Sequence, residues 1–293
     1  MPELDCCLLS GFLRPRQLLL ILDNLEHLLK DSVASLVLDL LNGAPSIKLL
    51  TTSRQRLNLR EEQLYALAGL HYPTAPAAQS SQRGDVYASE QLLLAAARRR
   101  RPDFVLRPEE AGSLASICQL VEGMPLALEL AAAWVDSLSL GGIAAELQGN
   151  LEFLATDLVD LPERHRSVRA TLEYSWQLLT FAERHTLAWL AIFRGGLTAE
   201  AAQAVAGANA ERLEALTDKS MLRRTGERFE LHELLRRFAA EQLVARGQTQ
   251  AAHESHLGWC VVFAEMAEPL IGGAEQEQWL SRIDSDHANL RAA

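Results

Sequence analysis

Leu18 to Leu22 is an unbroken apolar run that stops at Asp23. A short continuous run of this kind predicts a strand buried on both faces. Apolar residues then recur at Leu25, Leu28, Leu29, Val33, Leu36, Val37 and Leu40, which predicts a helix over about 24–42. Asn42-Gly43-Ala44-Pro45 stops it. Ile47 to Thr51 predicts a second strand, closed by the polar cluster Thr51-Thr52-Ser53-Arg54, and Gln63 to Leu70 is a third candidate. Strand, helix and strand in this order predict an open parallel α/β sheet. Such sheets take ligands beyond the carboxyl ends of their strands, where Asp23 and Thr52 to Arg54 fall.

Further along, the period becomes helical. His71 to Asp85 is a linker rich in Pro, Ala, Ser, Gln and Gly. Residues from about 86 to 155 read as helices, broken at Arg101-Pro102 and at Glu122-Gly123-Met124-Pro125. Pro125 suits the first turn of a helix over 125–138. Helices are predicted at 168–179, 182–193, 198–206 and 210–219. Met221 to Arg224 and Arg228 to Leu231 flank Thr225-Gly226-Glu227, a hairpin signal, and a helix over about 232–245 follows. Several helices with one small hairpin is the order of a winged helix. From about 250 two amphipathic helices surround Gly272-Gly273, where a helical-repeat array can begin.

At 293 residues and 48% hydrophobic content, the chain can build two or three compact units. Abundant Ala and Leu favour helices. A formal net charge of -10 does not draw the chain as a whole to nucleic acid, so DNA binding would need a locally basic face. The recognition-helix candidate, 211–220, is not basic, and Arg98–Arg101 reads as a solvated helix end. Cys6, Cys7, Cys118 and Cys260 lack metal-ligand spacing and read as reduced thiols of a cytoplasmic protein. No signal peptide and no run of membrane-spanning length is present. His253 and His256 have no third ligand beside them and read as surface residues. The lysines are Lys30, Lys48 and Lys219, and none follows a glycine, so no Gly-Lys-Ser/Thr phosphate loop occurs in this sequence.

Candidate chemistry sits where elements end. Asp23 closes an apolar strand, a placement that can hold Mg²⁺ or its waters. Glu26 is a candidate to polarise a water, although a plain role in favouring the helix N-terminus is the simpler reading. Arg54, after Thr52, can reach a terminal phosphate, or be an ordinary surface arginine. Gly123-Met124-Pro125 makes a rigid apolar corner that can pack on a flat base, or a common helix-loop-helix break. His232 lies where the hairpin meets a helix start, among backbone amides that could meet a phosphate; the alternative is a satisfied structural histidine.

Four segments carry a resemblance when taken in order. LLLILDNLEHLL (18–29) resembles the Walker B segment of bacterial STAND-class signalling ATPases, whose nucleotide module is NB-ARC-like and AAA+-related. LLTTSRQRLNLREEQLYALAGL (49–70) is similar to the sensor-1 strand and the strand after it, and ICQLVEGMPLALELAAAWV (117–135) to the Gly-x-Pro lid motif. SVRATLEYSWQLL (167–179), LTDKSMLRR (216–224) and FELHELLRRFAAEQL (229–243) resemble the winged-helix unit, and DHANLRAA (286–293) the start of a tetratricopeptide-type array.

The resemblance implies a mostly α fold with a partial α/β sheet. Residues 1–71 would be the C-terminal half of a P-loop NTPase core, 72–158 a linker and helical lid, 159–247 a winged helix and 248–293 the first of a TPR-like repeat. It implies an ADP/ATP-controlled switch of a bacterial transcriptional regulator, cut on its N-terminal side. In that mechanism Asp23 would serve Mg²⁺, Arg54 would sense the γ-phosphate, Pro125 would pack on adenine beside Gly123, and His232 would meet the ADP β-phosphate. Self-association and protein contacts through lid, winged helix and tail would follow, with DNA reached only through a further domain. Asn24 replaces a second acid beside Asp23, so hydrolysis would belong at most to an intact relative, and this chain alone is expected to bind nucleotide weakly or not at all. Two other readings are a degenerate interaction scaffold indifferent to nucleotide and a winged-helix DNA-binding protein.

Overall fold

The computed structural model describes residues 11–27, 33–74, 87–150, 153–155, 167–273 and 275–293. They divide into two compact units, Met1–Ala66 with Glu214–Met221, and Leu67–Leu213 with Leu222–Ala293.

In the first unit β1 (Leu18–Leu22) and β2 (Ile47–Thr51) pair in parallel, Leu18 opposite Ile47 and Leu22 opposite Thr51. Parallel neighbours need a crossover, and helix α1 (Val33–Gly43) lies on it. Leu40 and Ala44 pack with Ile47, Leu18 and Leu49, while Val33 and Val37 pack with Leu22, Leu25 and Leu57. The periodic pattern started this helix too early. Leu25–His27 forms a 3₁₀ turn, and residues 28–32 lie outside the described ones.

The expectation of strands buried on both faces is also corrected. Leu19, Ile21 and Leu50 are 56%, 60% and 53% exposed. Helix α1 covers one face only, and among the described residues each strand pairs only with the other. Gln63 to Leu70 is not a strand either. Leu64, Tyr65 and Leu67 are exposed there, with no sheet neighbour to fix an extended ladder.

The second unit begins with α2 (Ala88–Arg100), α3 (Ala111–Leu120), α4 (Pro125–Ala132) and α5 (Leu140–Gly149). Helix α2 packs on α4 and α3 on α5, around Leu93, Ile117, Leu128, Ile143 and Leu147. Pro125 is the first residue of α4, as its missing N–H and fixed φ favour. That helix ends at Ala132, short of the expected 138, in a run of tight turns closed by Ser137 N to Trp134 O at 3.0 Å. Arg98–Arg101 is more than a solvated end. Arg99 pairs with Glu129 at 2.9 Å, Arg100 with Asp136 at 3.2 Å, and Arg101 donates to the Val135 carbonyl at 3.0 Å.

Next come α6 (Val168–Gln177), α7 (Phe181–Leu190), α8 (Ala199–Ala206) and α9 (Ala210–Asp218), the last of which belongs to the first unit from Glu214 onward. Thr180 and Glu183 form a reciprocal capping box that fixes the start of α7. Strands β3 (Leu197–Thr198), β4 (Arg223–Thr225) and β5 (Arg228–Glu230) form an antiparallel sheet in the order β3-β5-β4. The hairpin was legible in the sequence; β3, two residues long, was not. Helix α10 (Glu233–Ala245) packs on α6 and α7, with Phe238 edge-on to Trp176 at 5.7 Å.

Helices α11 (Thr249–Ala267) and α12 (Gln276–Ala292) close the chain around Phe263, Ala267 and Trp279. His256 is fully buried, not on the surface. Its ring meets Phe193 edge-on at 5.0 Å, because α11 packs that face onto α8 and its neighbours. A polar network ties β5 to α12. The Arg228 guanidinium donates to Asp286 Oδ1 at 2.8 Å and Oδ2 at 3.1 Å, and Asn289 Nδ2 donates to Asp286 Oδ1 and to the Gly196 carbonyl. Asn289 Oδ1 accepts the Arg194 amide at 2.6 Å.

Replacing Arg228 with alanine strands the Asp286 carboxylate in a buried position. The expected loss is about 3 kcal/mol of unfolding free energy in urea. A loss below about 1 kcal/mol would mean that water reaches the network and that the pair is no stronger than a surface one.

Candidate functional site

The sequence-predicted residues fall into two sets, one in each unit. In the first unit the ends of β1 and β2 are stitched together. Thr52 N donates to the Leu22 carbonyl and Leu25 N to the Thr52 carbonyl, both at 3.0 Å. The Thr52 hydroxyl donates to Asp23 Oδ1 and accepts from Asn24 N at 2.9 Å. Asn24 has φ 65°, a left-handed conformation that asparagine tolerates better than most residues. Asp23 is therefore held by its neighbour across the sheet, with its side chain exposed at the strand end. One carboxylate beside one hydroxyl fits a Mg²⁺ ion that keeps most of its waters. Among the described residues no group of three His, Cys, Asp or Glu could form a full metal cage.

Glu26 and Arg54 meet each other. The carboxylate is buried, and Arg54 Nε lies 3.4 Å from its Oε1. The Arg54 carbonyl accepts from Ser220 Oγ at 3.0 Å, and Arg56 pairs with Asp218 at 3.0 Å. Sequence reading assigned Glu26 and Arg54 separate tasks. The structure gives them a shared one: the arginine neutralises a buried acid.

In the second unit the turn after α3 and the start of α10 come together. Gly123 N donates to the Cys118 carbonyl and Glu122 N to the Gln119 carbonyl, both at 3.0 Å. This paired arrangement is a Schellman closure of α3. Glu122, at φ 47°, occupies the left-handed position that glycine usually fills, and Gly123 follows at φ 66°. A side chain at Gly123 would sit 2.0 Å from the Leu70 carbonyl oxygen, so only glycine fits there. Leu70 N donates to the Gly123 carbonyl at 2.9 Å, which pins the segment around Gly69 along the turn. Pro125 itself is exposed. An open cleft of about 490 Å³ beside this segment is lined by Tyr72, Pro73, Thr74 and Gln119.

His232 caps α10: its Nδ1 accepts the Leu234 amide at 3.2 Å. Nδ1 is then an acceptor, so a neutral ring carries its proton on Nε2. That atom is buried with no hydrogen bond among the described residues, and Glu122 Oε2 lies 3.7 Å away. Glu122 Oε1 accepts the Glu233 amide at 2.8 Å. The backbone amides that looked open to a phosphate are thus capped by the chain's own side chains. Around them Arg236 grips Glu233 at 2.6 and 2.7 Å, and Arg223 binds Glu230. Burial lowers the His232 pKa below its ordinary range, against the pull of Glu122 and Glu233; burial also raises that of Tyr72, with Glu122 adding to it.

Sequence reasoning missed Glu122. The only signal was an acid at a helix C-terminus, where glycine or asparagine is usual. Neither described thiol is a ready nucleophile: burial pushes Cys118 up to about 12 and Cys260 up to about 11. Residues Cys6 and Cys7 lie outside the described ones.

Burial depresses the pKa of both His232 and His256, so each is neutral in the fold. An unfolded imidazole, with a pKa near about 6.5, takes up its proton first, and stability falls as pH drops below that value. The urea midpoint should be flat above about pH 7 and fall as pH drops below about 6.5. His256→Gln should flatten part of that slope, and a midpoint unchanged across the window would refute neutral burial.

No protein-family model matches the chain. A Mycobacterium tuberculosis protein (strain ATCC 25618 / H37Rv) provisionally named an HTH-type transcriptional regulator is 30% identical over 298 residues, covering 97% of this chain and 32% of that protein. An uncharacterised Mycobacterium bovis protein is 32% identical over 256 residues, covering 83% of this chain and 61% of its own length. The chain thus spans about a third of the length of the regulators it matches. A Pyrococcus horikoshii signal transduction ATPase with numerous domains, bearing a tetratricopeptide repeat sensor, aligns at 20% identity and a TM-score of 0.31, over 89% of this chain and 32% of that one. No helix among the described residues is long and apolar enough to cross a membrane.

Proposed function

We propose that this chain is the switch-bearing part of a STAND-class regulator, in which ADP and ATP select between two arrangements of a helical lid and a winged helix. The observation that carries the reading is a meeting of motifs. The Gly-Met-Pro turn and the His232 cap, about 110 residues apart in sequence, are joined by the Glu122–Glu233 hydrogen bond. The alignment with mycobacterial regulators along nearly the whole chain supports it as well.

In this reading residues 87–150 are the lid, 167–245 the winged helix, and α11–α12 the first pair of a TPR-like array. Pro125 and Gly123 would face the adenine and His232 the β-phosphate. Asp23 and Thr52 would hold Mg²⁺ and its waters, and Arg54 would leave Glu26 to meet the γ-phosphate. A bound nucleotide supplies negative charge and a flat apolar base, and it acts as a switch only through unequal affinity for the two arrangements. The sequence lacks a phosphate-loop lysine, so affinity in this chain is weak and hydrolysis belongs to a longer protein. Reading of DNA falls to another domain. Here the hairpin arginines Arg223 and Arg228 bond to Glu230 and Asp286, and do not form an open basic stripe. Partners are proteins bound through the terminal helices, or further copies of the regulator, in the cytoplasm.

Titration of the folded chain with ADP and Mg²⁺, followed by calorimetry and by the His232 imidazole resonances, tests this. The expected result is a dissociation constant on the order of 0.1–1 mM, with the imidazole shifted and the heat lost in His232→Ala. A folded chain whose His232 signals ignore ADP at about 10 mM would sink the switch and leave a nucleotide-indifferent scaffold.

A further inference from the structure

We propose that Glu122 is an internal latch: its carboxylate ties the turn after α3 to the first amide of α10, and an anionic group arriving at His232 must displace it. The second half of this statement rests on the nucleotide-switch reading; the first stands on geometry alone.

The backbone is the first argument. Glu122 lies at φ 47°, in the left-handed position of a helix closure where glycine carries no strain. A glutamate there is disfavoured locally, so its side chain must have a use elsewhere. The second argument is where that side chain goes. Oε1 accepts the Glu233 amide at 2.8 Å and Oε2 lies 3.7 Å from His232 Nε2, an otherwise unbonded buried atom. A carboxylate at a helix start gains from the exposed amides and the helix dipole together.

The charge inventory is the third argument. Facing the latch are His232 and Glu233 from α10, Arg223 and Glu230 from the hairpin, and Tyr72 from the segment beside the turn, with Arg194 near enough to act on Glu233. Arg236 is committed to Glu233 and Arg223 to Glu230. Among the described residues no arginine or lysine forms an ion pair with Glu122; Arg223 acts on it at longer range while bonded to Glu230. A phosphate on the Glu233 amide would take the place that the Glu122 carboxylate fills, so the two exclude each other there, and binding would free the turn. The fold does not hang on this contact alone. Arg237 separately donates to the Leu147 and Gln148 carbonyls at the end of α5, joining the same two parts of the unit.

The test compares Glu122→Gly and Glu122→Gln in the full chain. Glu122→Gly relieves the backbone and removes the latch. It should match or exceed the parent in melting temperature, while the Glu233 amide exchanges hydrogen at least about tenfold faster and the Leu234 amide, capped by His232, changes little. Glu122→Gln keeps an oxygen acceptor and loses the charge. Glu233 protection should persist, and the His232 imidazole should titrate at lower pH because an anion has left its side. Unchanged exchange in the glycine variant, or an unmoved His232 titration in the glutamine variant, overturns the latch. An ADP titration separates the two readings. Tighter binding to Glu122→Gln, by about tenfold, supports displacement. Equal affinity overturns it. Absence of ADP binding in every variant, with the exchange and titration changes present, sinks the nucleotide switch and leaves the latch.

Discussion

A helix that stops leaves carbonyls without partners, and a helix that starts leaves amides without partners. How the turn after α3 is joined to α10 depends on meeting these two needs in one place. Helix α3 closes through a Schellman turn, and the residue forced into the left-handed position is the one whose carboxylate caps α10. Local strain at Glu122 and long-range order at Glu233 are two ends of one side chain. Gly69 and Gly123 permit the close backbone contact that holds the turn in place, since a side chain at either would overlap the other strand of the contact. His232 completes the cap from within α10 itself.

A second constraint acts at the hairpin of the same unit. The hairpin is short, and two or three strands of three residues hold poorly unless something packs on them. Helix α12 meets this need with polar groups. Arg228, Asp286 and Asn289 satisfy one another and the Gly196 carbonyl, leaving few open bonds in a buried place. Such a network is directional, unlike the apolar packing of Phe263 and Trp279 beside it. It fixes α12 on β5 in one orientation.

The first unit shows the opposite economy. Among the described residues, two parallel strands and one covering helix leave Leu19, Ile21 and Leu50 exposed. Parallel sheets are normally covered on both faces. What the unit does organise is its strand ends, where Thr52 orients Asp23 and Glu26 holds Arg54.

The sequence by itself determined β1, β2 and the ends of most helices from α6 onward, because these follow from signals a few residues long. Apolar runs, Pro125 at the start of α4 and Gly226 in the hairpin each act through near neighbours. It also marked Asp23, Thr52, Arg54, Gly123, Pro125 and His232 as residues at element ends. Tertiary structure decided everything that depends on a distant partner. Gln63–Leu70 has strand composition but no strand beside it among the described residues. His256 lies in a polar-looking stretch, yet its helix turns it toward Phe193. Glu26 and Arg54 became an ion pair, and Glu122 became a cap for a helix 111 residues away. Periodicity reports which face of an element is apolar; it carries no information about which polar side chain will find which backbone amide, because that pairing exists only after the chain has closed on itself.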